Sequence, residues 1–192
     1  MLPAATSETF PSPSGVIYTV DAPAPVAWPG LLAEPAARKE HRDPVRETPV
    51  VTCFLLRTGP LGHDEVLILR RSGSVRTYQG RWAGVSGYLE GTPLTAEEQA
   101  RREVQEETGL SSADIELARA GAPVIFEDPE LDIRWTVHPF LFRVRPGAAI
   151  AIDWEHTEAR WVRPGALGRY RTVPRLREAL VRVYPASQGD AA

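Results

Sequence analysis

The sequence predicts an α+β fold: an α/β/α sandwich in which a mixed β-sheet lies between helices. Three observations carry that prediction. Apolar, β-branched runs recur between Val50 and Val144. One strongly helical stretch interrupts them at 96–108, and an amphipathic stretch closes the chain near 174–184. Strands, a helix, further strands and a final helix suit a sheet covered on both faces.

In chain order, residues 1–48 come first and stand apart. Pro3, Pro11, Pro13, Pro23, Pro25, Pro29, Pro35 and Pro44 interrupt every long element there, with alanines and other small residues between them. This Pro/Ala-rich extension is expected to be partly flexible, with Gly15–Val20 (GVIYTV) as a short strand. The folded domain is expected at 49–185, followed by a disordered tail at 186–192. VVTCFLL (50–56) reads as a strand buried on both faces. RTGPLGHD supplies turn residues, and EVLILRR (65–71) completes a hairpin. Glycine-rich GRWAGVSGYLEGTP then leads to a helix. Its start is marked by Thr95 with Glu98 three residues on, a capping-box spacing, and its end by Gly109. IELARAG, PVIFED, IRWTVHPFLFRV (133–144) and EARWVR (158–163) are strand-like. Leu176, Leu180 and Val183 recur at helical spacing in the last element.

Composition narrows the function classes. The chain has 192 residues and is 43% hydrophobic, enough for one compact domain with a sizeable core. A net charge of -3 and a pI near 5.9 leave no electrostatic footprint for nucleic acid or an anionic membrane. No apolar run approaches the ~20 residues that span a bilayer. The first residues, MLPAATSETFPSPSG, show no secretory pattern. Cys53 is the only cysteine, which excludes a disulfide framework and a multi-cysteine zinc site. The expected location is cytoplasmic.

The informative segment is AEEQARREVQEETGL (96–110). Glu97 and Arg101 are spaced i,i+4, as are Glu98 and Arg102, and such pairs belong on a solvated face. Glu103, Glu106 and Glu107 do not fit that description. At roughly 100° per residue, Glu103 and Glu107 project beside the stripe of Ala96, Ala100 and Val104 that should face the core. They are a like-charge i,i+4 pair with no arginine at helical spacing from either. Glu106 and Glu107 also sit in the last turn, where the helix dipole disfavours acid. Each penalty is at most ~1 kcal/mol. Together they call for a counter-charge. A divalent cation such as magnesium, which takes carboxylate oxygens and bridges to phosphates, supplies one.

These residues resemble a known family. Gly87-Tyr88-Leu89-Glu90-Gly91 through Arg102-Glu103-Val104-Gln105-Glu106-Glu107-Thr108-Gly109-Leu110 is similar to the Nudix box, G-x5-E-x7-R-E-U-x-E-E-x-G-U. REVQEETGL matches at every defined position. The upstream loop departs from the pattern. It is one residue longer, and the box's first glutamate has no equivalent at Thr92, Pro93 or Leu94, with Glu90, Glu97 and Glu98 the nearby acids.

The resemblance implies a hydrolase that cleaves a diphosphate bond in a nucleoside triphosphate or a nucleoside diphosphate linked to a further group. Carried over by position, Glu103, Glu106 and Glu107 would ligate magnesium or manganese. Arg102 would orient the glutamates. Gly87 and Gly91 would allow the turn into the helix. A carboxylate would accept the proton of the attacking water. Many members use a further glutamate outside the box, for which Glu155 and Glu158 in DWEHTEARWV are candidates, with Glu158 expected to be the catalytic one. Arg71, at the end of a strand, could hold a phosphate. Trp82, Tyr78, Trp135 and Phe126 could stack a base, and Trp82 is the ring expected to bind substrate. The partner is a small nucleotide; a homodimer stays open, many relatives being dimers. The rival from another class is a non-catalytic nucleotide-binding regulatory module of the same fold. An isoprenyl diphosphate isomerase would need a cysteine near the site, whereas Cys53 lies in mid-strand.

Overall fold

The structure, a computed structural model, describes residues 9–10, 18–19, 46–89, 91 and 93–184. The chain divides into two compact units, 1–41 and 42–192. In the first, β1 (Thr9–Phe10) pairs antiparallel with β2 (Tyr18–Thr19). Apart from these strands and residues 46–48, the expected flexible extension lies outside the described residues. So do the expected tail at 186–192, Glu90 and Thr92.

The second unit is built on an eight-stranded sheet. Its central strand, β3 (Arg46–Thr58), starts four residues before the apolar run that announces it, because Arg46–Pro49 pair with Ile133–Thr136. β3 runs parallel to β9 (Ile133–Val144) and antiparallel to β4 (Asp64–Arg71), so the sheet is mixed. The main order is β10-β4-β3-β9-β7, with β7 (Ile115–Ala120) and β10 (His156–Val162) at the ends. Three short strands join alongside. β5 (Trp82–Ala83) pairs with β4, β6 (Val85–Tyr88) with β3, and β8 (Val124–Asp128) with β9.

The continuous apolar run of β3 reflects burial on both faces. Val51, Cys53 and Leu55 join Leu67, Val85, Phe140 and Phe142 in a cluster against Ala100 and Val104 of α1 (Ala96–Thr108). Phe54 and Leu56 face the other way. They meet Leu141, Leu167 and the stripe Leu176, Ala179, Leu180 and Val183 of α2 (Leu176–Val183). The sheet therefore lies between the two helices, the sandwich that the alternation of elements predicts. Among the described residues no helix is long and apolar enough to cross a membrane.

Candidate functional site

α1 is the element that builds the site, and its ends are set by local chemistry. Thr95 caps the first turn: its Oγ1 accepts from the Glu98 amide, and Glu98 reaches back to the Thr95 N–H at 2.8 Å. Gly109 ends the helix at φ 72°, a left-handed conformation that suits glycine. Glu97 pairs with Arg101 at 2.8 Å, the partner its spacing predicts. Glu98 does not pair with Arg102, because its carboxylate is engaged in satisfying an orphan amide at the cap. Arg102 turns instead to Glu106, at 2.7 Å.

The three glutamates of the last turns have different environments. Glu106 is exposed. Glu103 is half-buried and lies against Gly87 of β6, where a Cβ would overlap its carboxyl group. Of the two glycines expected to ease the turn, Gly91 has the positive φ (74°), whereas Gly87 is required for this close approach. Gly87→Ala is thus expected to displace Glu103 and destabilise the domain by ~1–3 kcal/mol, measurable as a lowered melting temperature.

Glu107 is 3% exposed. Its Oε1 accepts from the Ser86 amide at 3.1 Å, while its Oε2 has no hydrogen-bond partner. His156 Nε2, also unpartnered, stands 3.6 Å from that oxygen. His156 Nδ1 lies 3.2 Å from Asp153 Oδ1; a carboxylate only accepts, so Nδ1 carries the proton. With the imidazole neutral, as its burial favours, Nε2 then presents a lone pair to the ionised Glu107 carboxylate.

A fourth carboxylate joins them. The segment 151–156 is strapped to the end of α1 by Ala151 N–H donating to Thr108 O (3.0 Å) and Asp153 N–H to Glu107 O (3.3 Å). Asp153 Oδ1 accepts from the Glu155 amide, and Ser72 N–H donates to Glu155 O at 2.7 Å. These bonds hold Glu155 beside Arg71. The whole group is electrostatically overloaded. Burial first, then neighbouring carboxylates, push the acids of Glu103, Glu107 and Glu155 above the ordinary range; Gln99 works against this at Glu103, the Ser86 amide at Glu107 and Arg71 at Glu155. Among the described residues, no three His, Cys, Asp or Glu side chains already converge as an ion's ligands. The donor set nevertheless fits a hard divalent cation: all oxygen, mutually repelling, with one buried oxygen that has no partner.

Glu103, Glu106, Glu155, Arg71 and Gly87 line one cavity of about 330 Å³. The same cavity is lined by rings. Tyr78 and Tyr88 both approach Trp135, with centroids 6.1 and 6.4 Å away, and Phe126 adds to the wall. Tyr78 is held at φ 54° and donates to Asp128 Oδ2 at 2.6 Å, which ties its loop to β8. Arg71 is oriented by donating from Nε to Thr77 O at 3.0 Å.

Two residues expected at the site stand elsewhere. Glu158 is outside the cavity lining, paired with Arg160 and, at 3.7 Å, with Arg70. Trp82 is buried in the core beneath α2, edge-on to Tyr170 at 5.5 Å, with Arg160 over its ring. Cys53 donates to Ala100 O at 3.6 Å, and burial pushes its thiol pKa well up, which leaves it inert. Tyr88, Gln99, Asp153 and His156 carry no motif. Their only sequence signal is adjacency: one step from Gly87, one turn before Glu103, or beside Glu155.

The family described as NUDIX domain matches residues 46–183. The sequence matches none of the curated proteins closely enough to count as a relative. Similar solved structures include a Nudix hydrolase from M. smegmatis, RenU, at 16% identity, TM-score 0.58, covering 90% of this chain and 89% of that one. The MutT protein of Methanosarcina mazei Go1 is 26% identical, with TM-score 0.56 and coverages of 72% and 93%. The NUDIX domain of Shewanella oneidensis NrtR, complexed with ADP ribose, is 15% identical, with TM-score 0.51 and coverages of 69% and 85%.

Proposed function

The chain belongs to the Nudix family, and from that premise we propose that it is a metal-dependent pyrophosphohydrolase. Its substrate is a nucleoside triphosphate, or a nucleoside diphosphate linked to a further group. One observation carries the reading: a single cavity joins a charged set, Glu103, Glu106, Glu155 and Arg71, to an aromatic set, Tyr78, Tyr88 and Trp135. Phosphates need the first and a base the second. The NrtR domain's complex with ADP ribose, itself a nucleoside diphosphate joined to a second sugar, supports the substrate class.

Glu103, Glu106 and Glu107 would hold magnesium, or manganese, which neutralises phosphate oxygens and acidifies water. Arg102 keeps Glu106 in place. Arg71, its plane fixed by Thr77 O, binds the phosphate that stays with the nucleoside. Glu155 accepts the proton as water attacks phosphorus. The bond from that phosphorus to the bridging oxygen breaks, and the second phosphate leaves. The raised pKa of Glu155 makes it a better base than an ordinary carboxylate. The ring wall orients the base. Tyr88→Ala, at a partly exposed position, is expected to raise KM for a nucleotide about fivefold (~1 kcal/mol) without lowering kcat.

A panel of nucleoside triphosphates, nucleotide sugars, dinucleoside polyphosphates and coenzymes, assayed with Mg2+ and Mn2+, tests the proposal. Turnover of at least one, stopped by a chelator, is expected. Activity surviving Glu106→Gln together with Glu107→Gln would sink the metal assignment. A second reading, a non-catalytic nucleotide-binding module, has one observation in its favour: Glu106 is already paired with Arg102. Binding without turnover of any substrate would select it. Nucleotide substrates also suit the cytoplasmic location expected from the sequence.

A further inference from the structure

We infer that Gln99 is the positioning residue that fixes the Glu103 carboxyl group for the cation. The inference rests on the metal site proposed above. Gln99 is 6% exposed, in the second turn of α1. Its Nε2 donates to Glu103 Oε1, one turn further on, at 2.5 Å. Because a carboxylate only accepts, this contact sets which way the amide faces. The amide oxygen is left buried with no partner.

That arrangement is expensive as mere packing. An unsatisfied buried carbonyl costs ~1–3 kcal/mol, and leucine or methionine would cover the same helix face without it. The arrangement makes sense when Gln99 is seen from Glu103. Glu103 has Gly87 against its carboxyl group and feels Glu106 and Glu155 as like charges. Without a donor it would swing away from them. A cationic donor would hold it but cancel the negative potential that attracts an ion, as Arg102 partly does at Glu106. A neutral amide holds Oε1 and leaves the charge and Oε2 available. The neighbouring acids have other tasks: Glu97 pairs with Arg101, and Glu98 closes the cap. With the box's first glutamate missing upstream, Gln99 is the neutral side chain of α1 that donates to a box glutamate.

The test reads Mn2+ binding to the full chain without substrate, by electron paramagnetic resonance of free Mn2+. Gln99→Met keeps volume and removes the donor; Gln99→Asn keeps the amide but withdraws it by one methylene. Each is expected to raise the Mn2+ Kd by roughly 10-fold, the lower range for loss of a group that orients a ligand. Gln105→Met, the same change on the exposed side of α1, is expected to leave it unchanged. In a Glu103→Gln background, Gln99→Met should add nothing. A folded Gln99→Met or Gln99→Asn with wild-type Mn2+ affinity overturns the inference, and so does an undiminished effect in the Glu103→Gln background. If Gln99→Met fails to fold, Gln99→Asn decides between the same two outcomes. A wild-type chain that binds no Mn2+ overturns the metal site itself and this inference with it. Normal wild-type binding that Glu103→Gln weakens and Gln99 variants do not sinks only the inference.

Discussion

Glu107→Gln is expected to abolish hydrolysis while making the metal-free protein more stable. The two effects have one cause. Glu107 is buried, and when ionised its Oε2 faces the lone pair of a neutral His156 Nε2 with no donor between them. A glutamine fits this place better than the native residue. Its Oε1 can still accept from the Ser86 amide, and its NH2 can donate to His156 after a shift of a few tenths of an ångström. Satisfying two buried orphans and removing a desolvated charge should gain ~1 kcal/mol, about 2–4 °C in Tm. The loss of a ligand that neutralises phosphate charge should cost about 4 kcal/mol of transition-state stabilisation, near a thousandfold in kcat. The pH dependence follows from the raised pKa. Because folded Glu107 holds its proton more tightly than the unfolded chain does, its contribution to stability is present at low pH. That contribution is lost as pH rises from the ordinary carboxylate value, about 4.5, through the folded one. Glu107→Gln should therefore flatten stability against pH in metal-free buffer. Added Mg2+ should raise the Tm of the native chain and leave the variant behind, since only the native site gains binding energy. Thermal denaturation with and without Mg2+ across pH, beside a kcat measurement, checks every part. A Glu107→Gln chain less stable than native without metal would show that Glu107 is a structural acid.

The sequence made much of this site legible because its signals are local. Glu103 and Glu107 are visible as misplaced by counting along one helix. Thr95, Glu98 and Gly109 mark that helix's ends through rules spanning four residues. The double burial of β3 shows as an unbroken apolar run. What was not legible depends on contacts made after the sheet assembles. Trp82 reads as a candidate ring beside the box, yet its pairing with Arg70 and bridge to Thr172 turn it into the core beneath α2. Tyr88 and Trp135 come together only because β6 and β9 both flank β3, on a register no local pattern encodes. The pairing of Arg102 with Glu106 had two spacings to choose between, and the cap's demand on Glu98 decided it.

The two glutamates of DWEHTEARWV show the same limit and yield the second large prediction. Glu155→Gln is expected to lower kcat by about 10²–10⁴, the range for losing a general base. Glu158→Gln is expected to stay within about threefold of native, the scale of an exposed ion pair. They lie three positions apart, and the difference comes from where β10 begins: Glu155 precedes it, in the segment bonded to Ser72 and to the end of α1, whereas Glu158 lies within its ladder. His156 lies opposite Arg71 and Glu158 opposite Arg70, so two steps along β10 match one along β4. Glu158 continues the ladder at the rim with Arg70 and Arg160 for partners. Glu155 is turned into the cavity, close enough to Arg71, Glu106 and Asp153 for each to move its pKa. As the base, Glu155 must be ionised, so native activity should fall with decreasing pH along an acid limb centred above 4.5, the ordinary value. Glu155→Gln should lose that limb along with most of its rate. If Glu155 is instead a further ligand, the variant should recover part of its rate at high Mn2+, which a missing base cannot do. Equal losses for both variants would mean that their positions do not separate their roles and that Glu155 is not the base.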